Sequence, residues 1–149
     1  MRPATTADAD RLFEWVNRPD SLAGKLRTTG PIPYDAHRHW FDRRLADPAC
    51  RIRIIERNGV PMGQLRLERR DEGYEVDIYV DAACRHEGLA QGALTRAIAE
   101  LRTDEPSSVL IATVRTENRA SRHLFERLGF HLEAIAPDHL IYRFPKDQE

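Results

Sequence analysis

The most informative stretch of the sequence lies between Val80 and Ala90. In Val80-Asp81-Ala82-Ala83-Cys84-Arg85-His86-Glu87-Gly88-Leu89-Ala90 an apolar alternation ends and an alanine-rich helical stripe begins. The first amides of a helix have no carbonyl to bond within it, and with the helix dipole they favour an anion. Gly88 and Ala90 are small enough to let a ligand approach the backbone. Arg85, His86, Glu87, Gly88, Leu89 and Ala90 are therefore candidates for holding a phosphate or pyrophosphate; on spacing alone the same stretch also reads as a plain strand-to-helix connection. Glu75 and Asp77 lie two apart on one strand face, and either could take a proton from a nucleophile or simply solvate that face. Tyr79 and Tyr142 are candidate proton donors in reserve. His37 and His39 sit two apart on a helix, point to nearly opposite sides and cannot share one ion. Cys50 and Cys84 are distant and form no CxxC pattern, so neither a disulfide scaffold nor a metal site is expected.

Local signals predict the elements that must position these groups. Thr5-x-x-Asp8 resembles a capping box and starts a helix near Thr6, with Leu12, Phe13, Trp15 and Val16 as its apolar stripe and Pro19 as its end. Residues 19–33 read as loop or a short helix. A second helix runs from Tyr34 to Ala46, with His37, Trp40, Phe41 and Arg44 on one face. The period then changes to two. Arg51 to Ile54, Met62 to Glu68 and Tyr74 to Val80 form an antiparallel meander, its first turn a type I′ hairpin at Asn58-Gly59. In the third strand Val76, Ile78 and Val80 face one way and Glu75, Asp77 and Tyr79 the other. A helix from Gly88 to about Arg102 carries the stripe Leu89, Ala90, Ala93, Leu94, Ala97, Ile98 and Leu101. Ser108 to Val114 is an apolar strand, and the strand–helix–strand around it predicts a right-handed crossover and a mixed sheet. A helix ending at Gly129 and strands Phe130 to Ala134 and His139 to Phe144 complete the chain.

The 149 residues suit one domain, 1–149, with 41% apolar and 32% charged residues. A formal net charge of −1 supplies no overall field toward nucleic acid or an anionic membrane. The early acidic residues Asp8, Asp10 and Glu14 argue against a signal peptide, and no apolar run approaches the ~20 residues a spanning helix needs. The cytoplasm is the expected compartment, and a monomer or homodimer the expected state.

Asn118-Arg119-Ala120-Ser121-Arg122-His123-Leu124-Phe125-Glu126-Arg127-Leu128-Gly129-Phe130 follows the apolar strand. Together with Arg85-x-x-Gly88-x-Ala90 it resembles the GNAT superfamily of N-acetyltransferases: the first motif matches the R/Q-x-x-G-x-G/A pyrophosphate loop, the second an Asn followed by a helix ending in L-G-F. The resemblance implies an α/β (α+β) fold, a mixed, mostly antiparallel sheet of about six or seven strands flanked by about four helices. It implies acetyl-CoA as co-substrate and no metal. On the resemblance, the strand before the loop and the next strand would splay, and pantetheine would pair with main-chain groups at Ile78 and Val80, with Asn118 across the cleft. Arg119 or Arg122 could reach the adenosine 3′-phosphate. Many members place a proton-donating tyrosine where this chain has Phe125. Glu87 stands where a basic or neutral residue is commoner, and its carboxylate must point away from the phosphates.

The N-terminal third forms the acceptor side in this superfamily. Trp15-x-Asn17-x-Pro19 and His37-x-x-Trp40-Phe41 resemble a subgroup that acetylates nucleotide-linked 4-amino sugars on routes to pseudaminic and related nonulosonic acids. Trp15, Asn17, His37 and Trp40 are thus the expected substrate contacts. Acetylation of peptide or ribosomal-protein N-termini, and a non-catalytic acyl-CoA sensor, are the alternatives.

Overall fold

A computed structural model describes residues 1–23, 30–85 and 87–145. Seven strands form one sheet in the order β1-β2-β3-β4-β5-β7-β6. They are β1 (Arg2–Pro3), β2 (Cys50–Arg57), β3 (Val60–Arg70), β4 (Gly73–Val80), β5 (Leu110–Arg115), β6 (His131–Ile135) and β7 (His139–Phe144). Among the described residues only β4 and β5 pair in parallel. Among the described residues there are five α-helices: α1 (Ala9–Val16), α2 (Pro19–Ala23), α3 (Tyr34–Ala46), α4 (Leu89–Asp104) and α5 (Arg119–Arg127). None is long and apolar enough to cross a membrane.

The period-two pattern divides the sheet into two faces. On one, Leu65, Leu67, Tyr74 and Val76 pack against Leu94, Ala97, Ile98 and Leu101 of α4, while Phe125 of α5 joins Val114, Leu140 and Tyr142. Fully burying a side chain such as Leu94 contributes about 1.5–3 kcal/mol, so this apolar stripe is what holds α4 on the sheet. On the other face, Ala9, Leu12 and Trp15 of α1 and Phe41 of α3 cover Ile52 and Ile54 of β2. The β2–β3 hairpin turns at Asn58 (φ 52°) and Gly59 (φ 78°), both in the left-handed region a type I′ turn requires.

Several expectations shift. The helix foreseen at Thr6 begins as a 3-10 turn, Thr6–Asp8, before α1. Pro19 does not end that helix but opens α2, because proline's fixed φ and missing N–H suit a first helical position. Strand β1 has no sequence period at two residues in length. It is held by tertiary contacts: Arg2 pairs opposite Ile54, and its guanidinium lies 2.7 Å from Asp8 and 3.1 Å from Glu56. Asp8 also accepts the Thr5 N–H at 2.8 Å.

The Arg2 guanidinium, helped by the Thr5 amide, holds the Asp8 carboxyl below its ordinary range despite burial. A depressed folded-state pKa stabilises above the unfolded value, and that stabilisation is lost as pH falls through the folded one. Asp8→Asn should therefore cost about 1–2 kcal/mol at neutral pH, and the difference from the parent should shrink as pH falls below the ordinary carboxylate range. Thermal unfolding across pH checks this. A deficit independent of pH would mean that the carboxylate charge is not what matters.

Candidate active site

The ladder between β4 and β5 is short. Tyr74 pairs with Leu110 and Glu75 with Ile111, and beyond that level the strands part. Each strand is held by its other neighbour. β5 pairs with β7 along all six of its residues. The end of β4 stays on β3 because the Asp81 N–H bonds the Met62 carbonyl at 2.8 Å and because residue 63 is glycine: a Cβ there would lie 2.3 Å from the Tyr79 carbonyl oxygen. The gap opens into a cleft of about 780 Å³, bounded by Ile78 and Val80 on one side and by Val114 and Asn118 on the other. It continues onto the α1 face, where Trp40, Arg66 and Asp77 line it.

At one end of the gap the chain makes a 3-10 turn at Ala82–Cys84 and enters α4 through Gly88, whose φ of 77° favours glycine. The amides of Leu89, Ala90 and Gln91 open α4 and have no carbonyl partner within it. Nothing lies within 4 Å of a Cβ built at Gly88 or Gly92, so the backbone is open to an approaching anion. Glu87 turns outward to Arg57 at 3.1 Å. The Arg85 side chain does not face this opening alone. Its Nε–H donates to the Val80 carbonyl at 3.0 Å, its guanidinium pairs with Asp20 and it lies over the Tyr79 ring. His86 lies outside the described residues.

Across the gap, Asn118 caps α5 by accepting the Ser121 N–H at 3.2 Å. Phe125, one helical turn beyond Ser121, forms part of the cleft wall, edge-to-face with Phe130 and stacked on Tyr142. On the α1 face Asp77 accepts a hydrogen bond from Gln64 at 2.8 Å and lies 4.0 Å from Arg66, its cross-strand neighbour. Arg66 in turn sits 4.9 Å from the centre of the half-buried Trp40 ring. Residues 1–131 match the family model described as an acetyltransferase (GNAT) domain.

The chain belongs to the GNAT acetyltransferase family. It is an acetyl-CoA-dependent N-acetyltransferase of GNAT type. It is 28% identical over 143 residues to the L-amino acid N-acyltransferase MnaT of Escherichia coli, covering 92% of this chain and 82% of that protein. Its fold superposes on yncA of Salmonella typhimurium, solved with its cofactor acetyl-CoA, with a TM-score of 0.80 and 23% identity, covering 99% of this chain and 94% of that one. The ribosomal-protein-alanine N-acetyltransferase of Brucella melitensis aligns with a TM-score of 0.79 and 24% identity, covering 95% and 96%. The cleft fits the family's co-substrate in its exposed α4 amides and its unpaired strand edges. Among the described residues no group of three or more His, Cys, Asp or Glu is placed to hold a metal.

The GNAT frame separates the expected site residues. Glu75 is not in the cleft. It belongs to the closed, paired end of β4 and its carboxylate is 3.4 Å from Arg70, so it is corrected as a candidate base. Tyr142 is also corrected: it is 1% exposed, beneath Phe125, and its O–H donates to Glu126 at 3.0 Å. Burial, foremost, pushes its pKa up, which further weakens it as a donor. Asn17 fastens the chain at Ile32, donating to its carbonyl at 2.9 Å and accepting its N–H at 2.6 Å, and does not line the cleft. Arg122 bonds the Thr116 carbonyl at 3.2 Å, and neither it nor Arg119 lines the cleft; Arg115, His123 and Arg127 do, and sequence spacing did not single them out for this role. Trp15 and His37 touch the cleft but are buried, Trp15 donating its indole N–H to Asp81 at 3.3 Å and His37 packed against Phe13, Trp40 and Phe41. Tyr79 places its hydroxyl 3.3 Å from Asp20, and burial raises its pKa.

Proposed function

We propose that this enzyme acetylates the primary amine of a small zwitterion, of the α-amino acid class, with Asp77 as the base. The observation that carries this reading is the pair Asp77 and Arg66, opposite charges 4.0 Å apart in the cleft beside the β4–β5 gap. A carboxylate there accepts the proton an amine must lose to attack. A guanidinium has five donors in a planar fork, so Arg66 keeps capacity for the acceptor's carboxylate beside its contacts with Glu68 and Asp77. The name of the Escherichia coli relative points the same way.

Acetyl-CoA supplies an activated acyl carbon and a leaving group stable as a thiolate. The chain's part is to hold the diphosphate at the α4 amides, to pair the strand edge that β5 leaves open at Ile78 and Val80 with the pantetheine, and to offer a backbone N–H there to the thioester oxygen as charge develops. Asn118, on the opposite wall, has its side-chain oxygen committed to the α5 cap, so its amide nitrogen is the group that could donate to the pantetheine.

A nucleotide-linked amino sugar is the second reading, favoured by the half-buried Trp40 ring in the cleft wall, which suits stacking on a base or sugar. Thiol release from acetyl-CoA with L-amino acids, UDP-linked 4-amino sugars and ribosomal-protein N-terminal peptides separates the classes. Turnover of free amino acids is the expected result. Turnover of the sugar alone would put the second reading in its place, and turnover of peptides alone would overturn both.

A further inference from the structure

We propose that Thr113 is a further catalytic residue, whose hydroxyl accepts a hydrogen bond from the attacking amine and aims it at the acetyl carbon. The placement follows from the sheet register. The parallel ladder ends at Glu75 opposite Ile111, so two residues onward Asp77 and Thr113 stand at the same level on the two sides of the gap. They also share a face. Leu110, Ala112 and Val114 are buried toward α4 and α5, which turns Thr113 to the other side, as Val76 and Val80 turn Asp77. Both residues line the cleft.

Three features make Thr113 more than a wall residue. It is exposed although it sits in the middle of β5, a strand flanked by β4 and β7. Its hydroxyl makes no hydrogen bond with any described residue. Phe125 of α5, also in the cleft wall, has no polar atom to give. A neutral primary amine has two N–H groups and one lone pair. With one N–H on Asp77 and the other on Thr113, from opposite sides of the gap, the lone pair points into the gap. The bond from nitrogen to the acetyl carbon forms, and the bond from that carbon to sulfur breaks with its pair on sulfur. One amine proton passes to Asp77, and the sulfur takes its proton from solvent. Thr113 moves no proton in this scheme and holds the nucleophile in line.

The proposal rests on the reading of Asp77 as the base, and the test keeps the two apart. Thr113→Val keeps the side-chain shape and removes the acceptor; Thr113→Ser restores it. Turnover is followed by thiol release with three acceptor probes: an equimolar mixture of L-amino acids, benzylamine and a UDP-linked 4-amino sugar. On any probe the parent acetylates, Thr113→Val should lower kcat about 10- to 100-fold while KM for acetyl-CoA stays within about twofold and Tm is kept. Thr113→Ser should recover most of the loss. Full kcat in Thr113→Val overturns the role of Thr113 and leaves Asp77 standing. A fall in kcat that comes with a matching rise in KM for acetyl-CoA or a lower Tm, and that serine does not rescue, assigns Thr113 to structure and also overturns it. If the Asp77→Asn enzyme keeps full turnover while Thr113→Val loses it, the base assignment falls and Thr113 remains. A parent that acetylates none of the three probes overturns the acceptor class and this proposal together.

Discussion

Gly88→Glu is expected to weaken acetyl-CoA binding by roughly 100-fold or more. Gly88 caps α4 with φ of 77°, and the space its hydrogen faces is empty to 4 Å. Glutamate there has to adopt a backbone conformation that costs about 1–2 kcal/mol for a side chain with a Cβ. It also sets a carboxylate beside the amides that would hold the diphosphate. Two like charges about 4 Å apart repel by ~4 kcal/mol at an effective dielectric near 20, before salt screening. Calorimetric titration with coenzyme A reads the effect. Gly88→Ala separates the causes, since it carries the backbone cost without the charge and should lose about tenfold. Affinity in Gly88→Glu equal to the parent's would place the diphosphate elsewhere.

Asp77→Asn should lower kcat by about 10²–10⁴-fold, the usual contribution of a general base, with little change in KM for acetyl-CoA. The amide keeps the volume and a partner for Gln64 but cannot take a proton. In the parent, kcat/KM should climb on the alkaline side as the amine loses its proton, without a sharp acid-limited fall near neutrality. The variant should keep that climb at a lowered level. Glu75→Gln serves as the comparison. Its carboxylate is two residues away on the same face, yet it sits at the closed end of the strand pair beside Arg70, so activity should stay within about twofold. Tyr142→Phe removes a bond to Glu126 outside the cleft and should cost about 1 kcal/mol of stability rather than turnover. Full activity in Asp77→Asn, or a collapse in Glu75→Gln, would reverse the assignment.

Much of the scaffold was legible in the residues because each element carries its own periodicity. Tyr34–Ala46 and His139–Phe144 have the bounds their patterns predict, and α4 and β5 differ from expectation by one or two residues at each end. The Asn58-Gly59 turn and the faces of β4 followed from local backbone preference and period two. The loop that enters α4 at Gly88 was also legible, since a glycine-bearing helix start after a strand is a local arrangement of backbone groups. Strand β1 was not, because two residues carry no period and Arg2 acquires its partners only when Asp8 and Glu56 are brought to it.

The family, the elements and the glycine-bearing start of α4 could thus be read from the order of residues alone. Where Glu75 and Asp77 lie relative to the cleft came from the tertiary fold. In one dimension the two carboxylates are equivalent, both acidic and both on the same strand face. They differ in where the neighbouring strand lets go. Glu75 is at the last paired level with β5, and Asp77 is two residues beyond it, at the mouth of the gap. That level is set by long-range contacts: the close approach at Gly63, the Asp81 bond to Met62 and the hold of β7 on β5. The same contacts bring Thr113, from a strand 36 residues further along the chain, level with Asp77. Asn17 and Tyr142 show the converse. Each has a residue type suited to chemistry, and each has its polar atoms taken by a distant partner that no local pattern announces.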